Sequence, residues 1–369
     1  MPQPNRINVL LISISTLLLI SCRDTKPLTK EEVLAFGKEI EMTIDKREAN
    51  FMDDALDIKE LISRTEIPSG KRESSVKEGI GQSMKLGTAI INAISTKGTY
   101  QMIRHYEKDN VHHIVFRMFS EGLINYHDME LIRSKGKVKI ADLYIYLTGE
   151  NFSSTLTSVY LQMVGNSSST DEVPDNQLLW AKKLPEIRSL LNSKSYTRAK
   201  ELFDELPEEI KPGRPFQIMH LQICAGLGDD SYDKALQEFE KIYPNDKNIL
   251  LLMMDGYMSR DQYDKAIAVI DELDKNLGTD PILDLHRGIC YKLNGDGVKG
   301  RECLERLVKN MPGLEEGNIE LIKSYLMIAE YEKAKPIVEQ YRLNSDFDQT
   351  SLNTLMYLYP GYNAKFGSN

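Results

Sequence analysis

The chain has little of what marks the commoner function classes. A single tryptophan, Trp180, stands among 369 residues, so the flat aromatic surface on which sugars stack is scarce. Four cysteines, none in a C-x-x-C pair, exclude a disulfide-dense scaffold and a cysteine-ligated zinc site. Lys and Arg number 46 against 55 Asp and Glu, a net charge of −9 with no basic stripe, so nucleic acid is not expected as a partner. No Gly-rich phosphate loop, G-x-S-x-G elbow or H-E-x-x-H motif occurs. His112 and His113 are adjacent and point to opposite faces of a strand. His105 can share a face with His112, but two ligands fall short of a tetrahedral site, so neither metal nor cofactor is expected.

What the chain does have is a recurring phrase in its second half. Tyr196-Thr-Arg-Ala199, Tyr232-Asp-Lys-Ala235, Tyr263-Asp-Lys-Ala266 and Tyr331-Glu-Lys-Ala334 share one pattern, and Gly297-Val-Lys-Gly300 fills the gap before the last. The small residues fall at 199, 235, 266, 300 and 334, in steps of 36, 31, 34 and 34 residues. Such a period marks stacked units, none of which can bury its own apolar face alone. Tyr263, Ala266, Ile270 and Leu273 lie on one helical face. The small residue is placed where a second helix must approach closely. An upstream partner helix carries Gly288 twelve positions, and Tyr291 nine positions, before Gly300. Tyr257 and Tyr325 stand nine before Ala266 and Ala334, and Pro312 follows twelve after Gly300.

These positions resemble the tetratricopeptide (TPR) repeat over about residues 177–345, with Leu352, Leu355, Met356 and Leu358 forming a closing helix. The resemblance implies a solenoid of about five units whose first helices line a concave groove. In that register Asn248, Asp255, Ser259, His286, Lys292, Glu316, Glu320 and Lys323 face the groove beside Leu251, Met258, Leu285, Ile289 and Met327. The mixture suits an extended peptide or partner helix. TPR modules that clamp a terminal carboxylate carry basic and asparagine side chains on successive first helices. Here those positions hold Cys224, Asp255, Ile289 and Lys323, which rules against that subtype.

The N-terminus reads as an export signal. After Arg6, residues Ile7 to Ile20 are almost wholly apolar, a run too short for the about 20 residues that span a bilayer. Leu19-Ile20-Ser21-Cys22 resembles a bacterial lipobox, which implies removal of residues 1–21 and lipidation of Cys22. Several acyl chains on one residue exceed what stable anchoring requires. Residues 22–28 would then be a tether, and the mature chain an envelope lipoprotein held at the inner or outer membrane and facing the periplasm. Cys224, Cys290 and Cys303 read as buried thiols, with a Cys290–Cys303 bond as the alternative in an oxidising space.

Between tether and repeats the periodicity changes. Residues Leu28 to about Arg64 and Val76 to Ile94 read as helical. Four strand-like segments follow at about 98–107, 111–120, 123–133 and 137–147, with turns at Lys108-Asp109-Asn110 and Lys135-Gly136. Helices followed by an antiparallel meander make an α+β domain over 29–165, and Gly165 to Asn176 is the best linker, set at 166–176 before a helical region over 177–369. The order, and the stretch from Tyr126 to Glu150, resemble the NTF2-like cone fold, in which a bent sheet wraps a helix and can leave a pocket. A two-residue turn at Lys135-Gly136 pairs residues whose numbers sum to 271, setting His127 opposite Tyr144 and Met129 opposite Asp142. His127, Asp142 and Tyr144 would then share a face and form the candidate pocket. Nothing beyond residue type assigns them catalysis, and no enzyme activity is expected. The expected function is a protein-binding scaffold or adaptor in the bacterial envelope. The alternative is small-molecule binding or catalysis in the first domain, with the repeats positioning it.

Overall fold

The computed structural model describes residues 26–67, 77–79, 81, 84–94, 97–120, 122–164, 183–184, 186–191, 193–228, 230–243, 249–344 and 347–367. The leader with Cys22, the linker at 166–176, Trp180 and Asn248 lie outside them.

The first part is α+β. Helix α1 (Lys30–Asp45) opens on a capping box: the Thr29 side chain accepts from the Glu32 N–H while the Glu32 carboxylate accepts from the Thr29 N–H. The single helix expected over Leu28–Arg64 is instead three. Arg47 takes a positive φ of 61° after α1, and Leu56 bridges to Ile140 of the sheet between α2 (Asn50–Ala55) and α3 (Ile58–Ser63). Helix α4 (Leu86–Ala93) precedes five antiparallel strands in sequential order: β1 (Thr99–Lys108), β2 (Val111–Ser120), β3 (Leu123–Ser134), β4 (Lys137–Ile145) and β5 (Glu150–Asn151). Both expected turns are two-residue loops with positive φ at each centre, Asp109 (52°) with Asn110 (62°) and Lys135 (51°) with Gly136 (75°). That geometry matches the twist of the flanking strands.

The sheet buries both faces. On the inner face Tyr100, Ile114, Phe116, Met129, Leu131, Ile140 and Leu143 pack with Val33, Phe36, Ile40 and Ile44 of α1. The crossing is tight at Gly37, where a Cβ would stand 2.4 Å from the Met102 sulfur. On the outer face Val115, Phe119, Ile124 and Tyr126 join the core of the helical part.

Beyond α5 (Phe152–Val164) the described chain is helical: α6 (Tyr196–Asp204), α7 (Arg214–Leu227), α8 (Ser231–Ile242), α9 (Leu250–Ser259), α10 (Tyr263–Leu277), α11 (Leu283–Leu293), α12 (Gly297–Asn310), α13 (Glu315–Met327), α14 (Tyr331–Tyr341), α15 (Gln349–Leu358) and α16 (Gly361–Phe366). From α9 to α14 each helix packs on its successor. The small residues of the repeated phrase are all buried in the first turns of α6, α8, α10, α12 and α14, with Ala199, Ala266 and Ala334 fully so. Close approach is visible where Gly300 meets Gly288: a Cβ on Gly300 would lie 2.9 Å from the Gly288 carbonyl oxygen. The tyrosine opening α8 packs over the next pair, since a Cβ on Gly256 would fall 2.1 Å from the Tyr232 ring. Charge adds a second tie, with Arg287 of α11 reaching Asp271 and Asp274 of α10 and Asp284 of its own helix. Among the described residues no helix is long and apolar enough to cross a membrane.

Sheet and helices meet through a buried polar knot. Arg117 of β2 donates to Asp280, in the loop before α11, at 2.5 Å, and Tyr126 of β3 donates to the other carboxylate oxygen at 2.9 Å. Arg117 also donates to Gln101 of β1. Arg117 is 4% and Asp280 2% exposed, so each charge leans chiefly on its protein partners. The tyrosine hydroxyl is pushed well above its usual pKa by burial and by the neighbouring Asp280 charge. Asp280→Ala should therefore cost about 3–5 kcal/mol by urea unfolding, because it leaves a buried guanidinium without its counter-charge. A loss under about 1 kcal/mol would show that water replaces the carboxylate.

Candidate functional site

The first helices of successive pairs, α9, α11 and α13, present one wall each to a cavity of about 420 Å³. It is lined by Asp255 and Met258 from α9, Leu285, His286 and Ile289 from α11, Glu316, Ile319 and Glu320 from α13, and Gly122 from the β2–β3 turn. Helical spacing explains the set: 255 and 258, 285 and 289, and 316, 319 and 320 each fall on one side of a helix. The β2–β3 turn enters because His286 meets the Gly122 carbonyl oxygen at 3.3 Å through its Nε2.

Electrostatics inside the cavity are uneven. Glu320 is held between Lys292 and Lys323, the latter at 3.4 Å. Asp255 has no cation within ion-pair reach among the described residues. Its side chain keeps exposed surface where it opens onto the cavity, yet protein crowds it enough that burial pushes its carboxyl up to about 7. Water in the cavity screens part of that penalty. His286 is 7% exposed, and burial holds its imidazole below the usual histidine value. Its Nδ1 makes no hydrogen bond of normal geometry, although the Ile282 carbonyl one turn back is close enough to favour the proton. The cavity floor thus combines a histidine held towards its neutral form, a carboxyl raised above its usual range and apolar walls.

Of the groove residues expected from the sequence, Asp255, His286, Glu316 and Glu320 line the cavity, with Lys292 and Lys323 at its edge. Ser259 instead turns back to the Gly256 carbonyl at 3.0 Å, and Met327 is 55% exposed outside the lining. Leu251, expected beside them, is 1% exposed within the helical core. Gly122 was not legible as a groove residue, since nothing in a turn glycine says which helix it will touch.

The second constellation, His127, Asp142 and Tyr144, does not assemble. Residues 131–134 and 137–140 pair as their sum of 271 requires, but a bulge between Glu130 and Leu131 shifts the register by one. His127 then lies opposite Ile145, Asp128 opposite Tyr144 and Glu130 opposite Asp142. A one-residue slip moves side chains to the other face. His127 points into the inner core, where Tyr100 meets its Nδ1 at 2.9 Å and burial lowers its pKa to about 4. Asp142 is buried and accepts from the Ser153 hydroxyl at 2.5 Å and the Ser153 N–H at 3.2 Å, capping the start of α5. Tyr144 lies on the outer face edge-on to Tyr146, with ring centroids 5.2 Å apart. Cys224, Cys290 and Cys303 are buried, and Cys290 and Cys303 are not bonded to each other.

Set against protein-family models, curated proteins and solved structures, the chain matches none. The cavity must be read from its own chemistry.

Asp255 supplies a direct check. A carboxyl whose folded pKa is raised prefers the proton in the folded state. Its charged form costs nothing below the unfolded value of about 3.9 and a penalty that grows as pH rises above it, reduced by the water that reaches the exposed side chain. The stability of Asp255→Asn relative to the parent should therefore improve between pH 4 and pH 7 and level off above. Urea midpoints across that range measure it, and a pH-independent difference would remove the crowding argument.

Proposed function

We propose that the chain is a membrane-anchored envelope protein whose TPR-like helical array binds a protein partner through the cavity between α9, α11 and α13. The observation that carries this reading is the convergence of residues from three successive first helices on one concave, partly apolar site. Cavities of this size hold one or two side chains of an extended segment. The regular burial of small residues in the second helices and the helix-by-helix packing support a TPR-like solenoid. The helix–meander order with α1 across the inner face supports an NTF2-like first domain.

Charge selects among partners. The lining offers Asp255, Glu316 and Glu320 against apolar Met258, Leu285, Ile289 and Ile319. A lysine or arginine fits both features, its aliphatic stem lying on the apolar wall and its charge meeting Asp255. Binding a cation would draw the Asp255 proton off, so affinity should rise with pH through the range where that carboxyl titrates. Capped peptides with a central arginine between leucines are expected to bind, and Asp255→Asn to weaken them about tenfold, or about 1.4 kcal/mol. The same peptide with glutamate in the centre should not bind; equal binding of the two would overturn the reading.

The competing reading places a small ligand inside the first domain. The inner face is instead filled by Phe116, Met129 and Ile140, each fully buried, and His127 is satisfied there by Tyr100. This favours a structural role for the sheet. The anchor rests on the sequence Leu19-Ile20-Ser21-Cys22 alone. Cys22→Ala should move the protein from the membrane to the soluble fraction, and unchanged partitioning would remove the lipid anchor.

A further inference from the structure

At the tip of the β1–β2 hairpin the fold completes a donor set that the sequence leaves one ligand short. His105, Glu107 and His112 each offer one ligand atom, and all three atoms lie within 4.8 Å of one another. The cause is the register. Glu107 pairs with His112 and His105 with Ile114, so residues 105, 107 and 112 share the inner face of the two strands. Alternation brings Glu107 to the same side as His105, two residues away, and the hairpin folds His112 onto both.

We propose that His105, Glu107 and His112 form a binding site for a divalent cation of the zinc class. The spacings fit. Two donors about 2.1 Å from one ion and about 90–110° apart stand roughly 3.0–3.4 Å from each other. The His105 Nε2 to His112 Nδ1 distance is 3.0 Å, and His112 Nδ1 to the Glu107 carboxylate is 3.3 Å. The second shell is in place as well. The other nitrogen of His112, Nε2, stands 3.1 Å from the Leu28 carbonyl oxygen. A carbonyl can only accept, so that contact places the proton on Nε2 and leaves the Nδ1 lone pair facing His105 and Glu107. His112 is 8% exposed, which fixes its ring, while Glu107 is exposed and opens the fourth position to water. His105 is held below the usual histidine value by partial burial, by His112 and by Lys30, which favours the neutral ring. Without an ion its Nε2 donates to His112 Nδ1, and binding the ion moves that proton to the His105 Nδ1. Two imidazoles and one carboxylate suit zinc, and a softer thiolate-preferring ion less well.

Lys30 is the opposing charge beside the cluster and Glu107 the compensating one. Protons compete with the ion for the imidazole lone pairs, so affinity should fall in acid.

Titrating untagged protein with Co²⁺, then displacing it with Zn²⁺, tests the site. One equivalent of Co²⁺ should give visible d–d absorption that Zn²⁺ abolishes. His105→Ala and His112→Ala should each weaken binding at least about 100-fold and Glu107→Gln at least about tenfold. If His112→Ala does not fold, His105→Ala at the half-buried position decides. Failure of the parent to bind either ion below about 1 mM would overturn the proposal. So would binding that survives His105→Ala, or a thiolate-to-cobalt charge-transfer band, which would place the ion on a cysteine.

Discussion

The architecture turns on one buried charge pair. Arg117 stands on β2 and Asp280 in the loop ahead of α11, 163 residues apart in sequence, and each is nearly sealed from water. Taking two charges out of water is expensive, and Tyr126 and Gln101 offset part of that cost by bonding the second carboxylate oxygen and the second guanidinium nitrogen, while Arg117 Nε stays without a partner. An apolar seam of Val115, Phe119, Ile124 and Tyr126 against the helices would hold without direction. The knot gives it register, since a carboxylate that must meet two donors tolerates little sliding. That register sets the β2–β3 turn against His286, and so sets one wall of the cavity.

Much of the helical part was legible because packing imposes spacing. Wherever two helices cross closely a small side chain is required, and the 31–36-residue steps at 199, 235, 266, 300 and 334 carry that requirement in the sequence. All five positions are buried in the second helices. The strands were legible for a similar reason, since Asp109, Asn110 and Gly136 in the two turns tolerate positive φ. What failed was local. The bulge at Glu130/Leu131 leaves no mark in side-chain alternation strong enough to read, yet it sends His127 and Tyr144 to opposite faces. The break at Arg47 was hidden because the apolar pattern continues across it on both sides.

The cavity was half legible. The register implied by the TPR resemblance set Asp255, His286, Glu316 and Glu320 on inward faces, and those four line one space. Periodicity carries no information about what else enters that space, and the turn at Gly122 comes from the opposite end of the chain's topology. Asp280 was invisible for the same reason. Its partner lies in a strand whose outward side looked free until the helices covered it.

The shared apolar continuum has a consequence for how this molecule holds together. A linear stack of helix pairs ordinarily melts piecemeal, each unit answering only to the ones beside it. Here strand side chains from positions 115–126 sit in the same oily body as helices that run to Tyr362. Frayed ends of the stack cannot loosen inward past α11 without also uncovering the sheet. Over that span the sheet and the helices share one buried apolar core, so loosening either exposes part of the other.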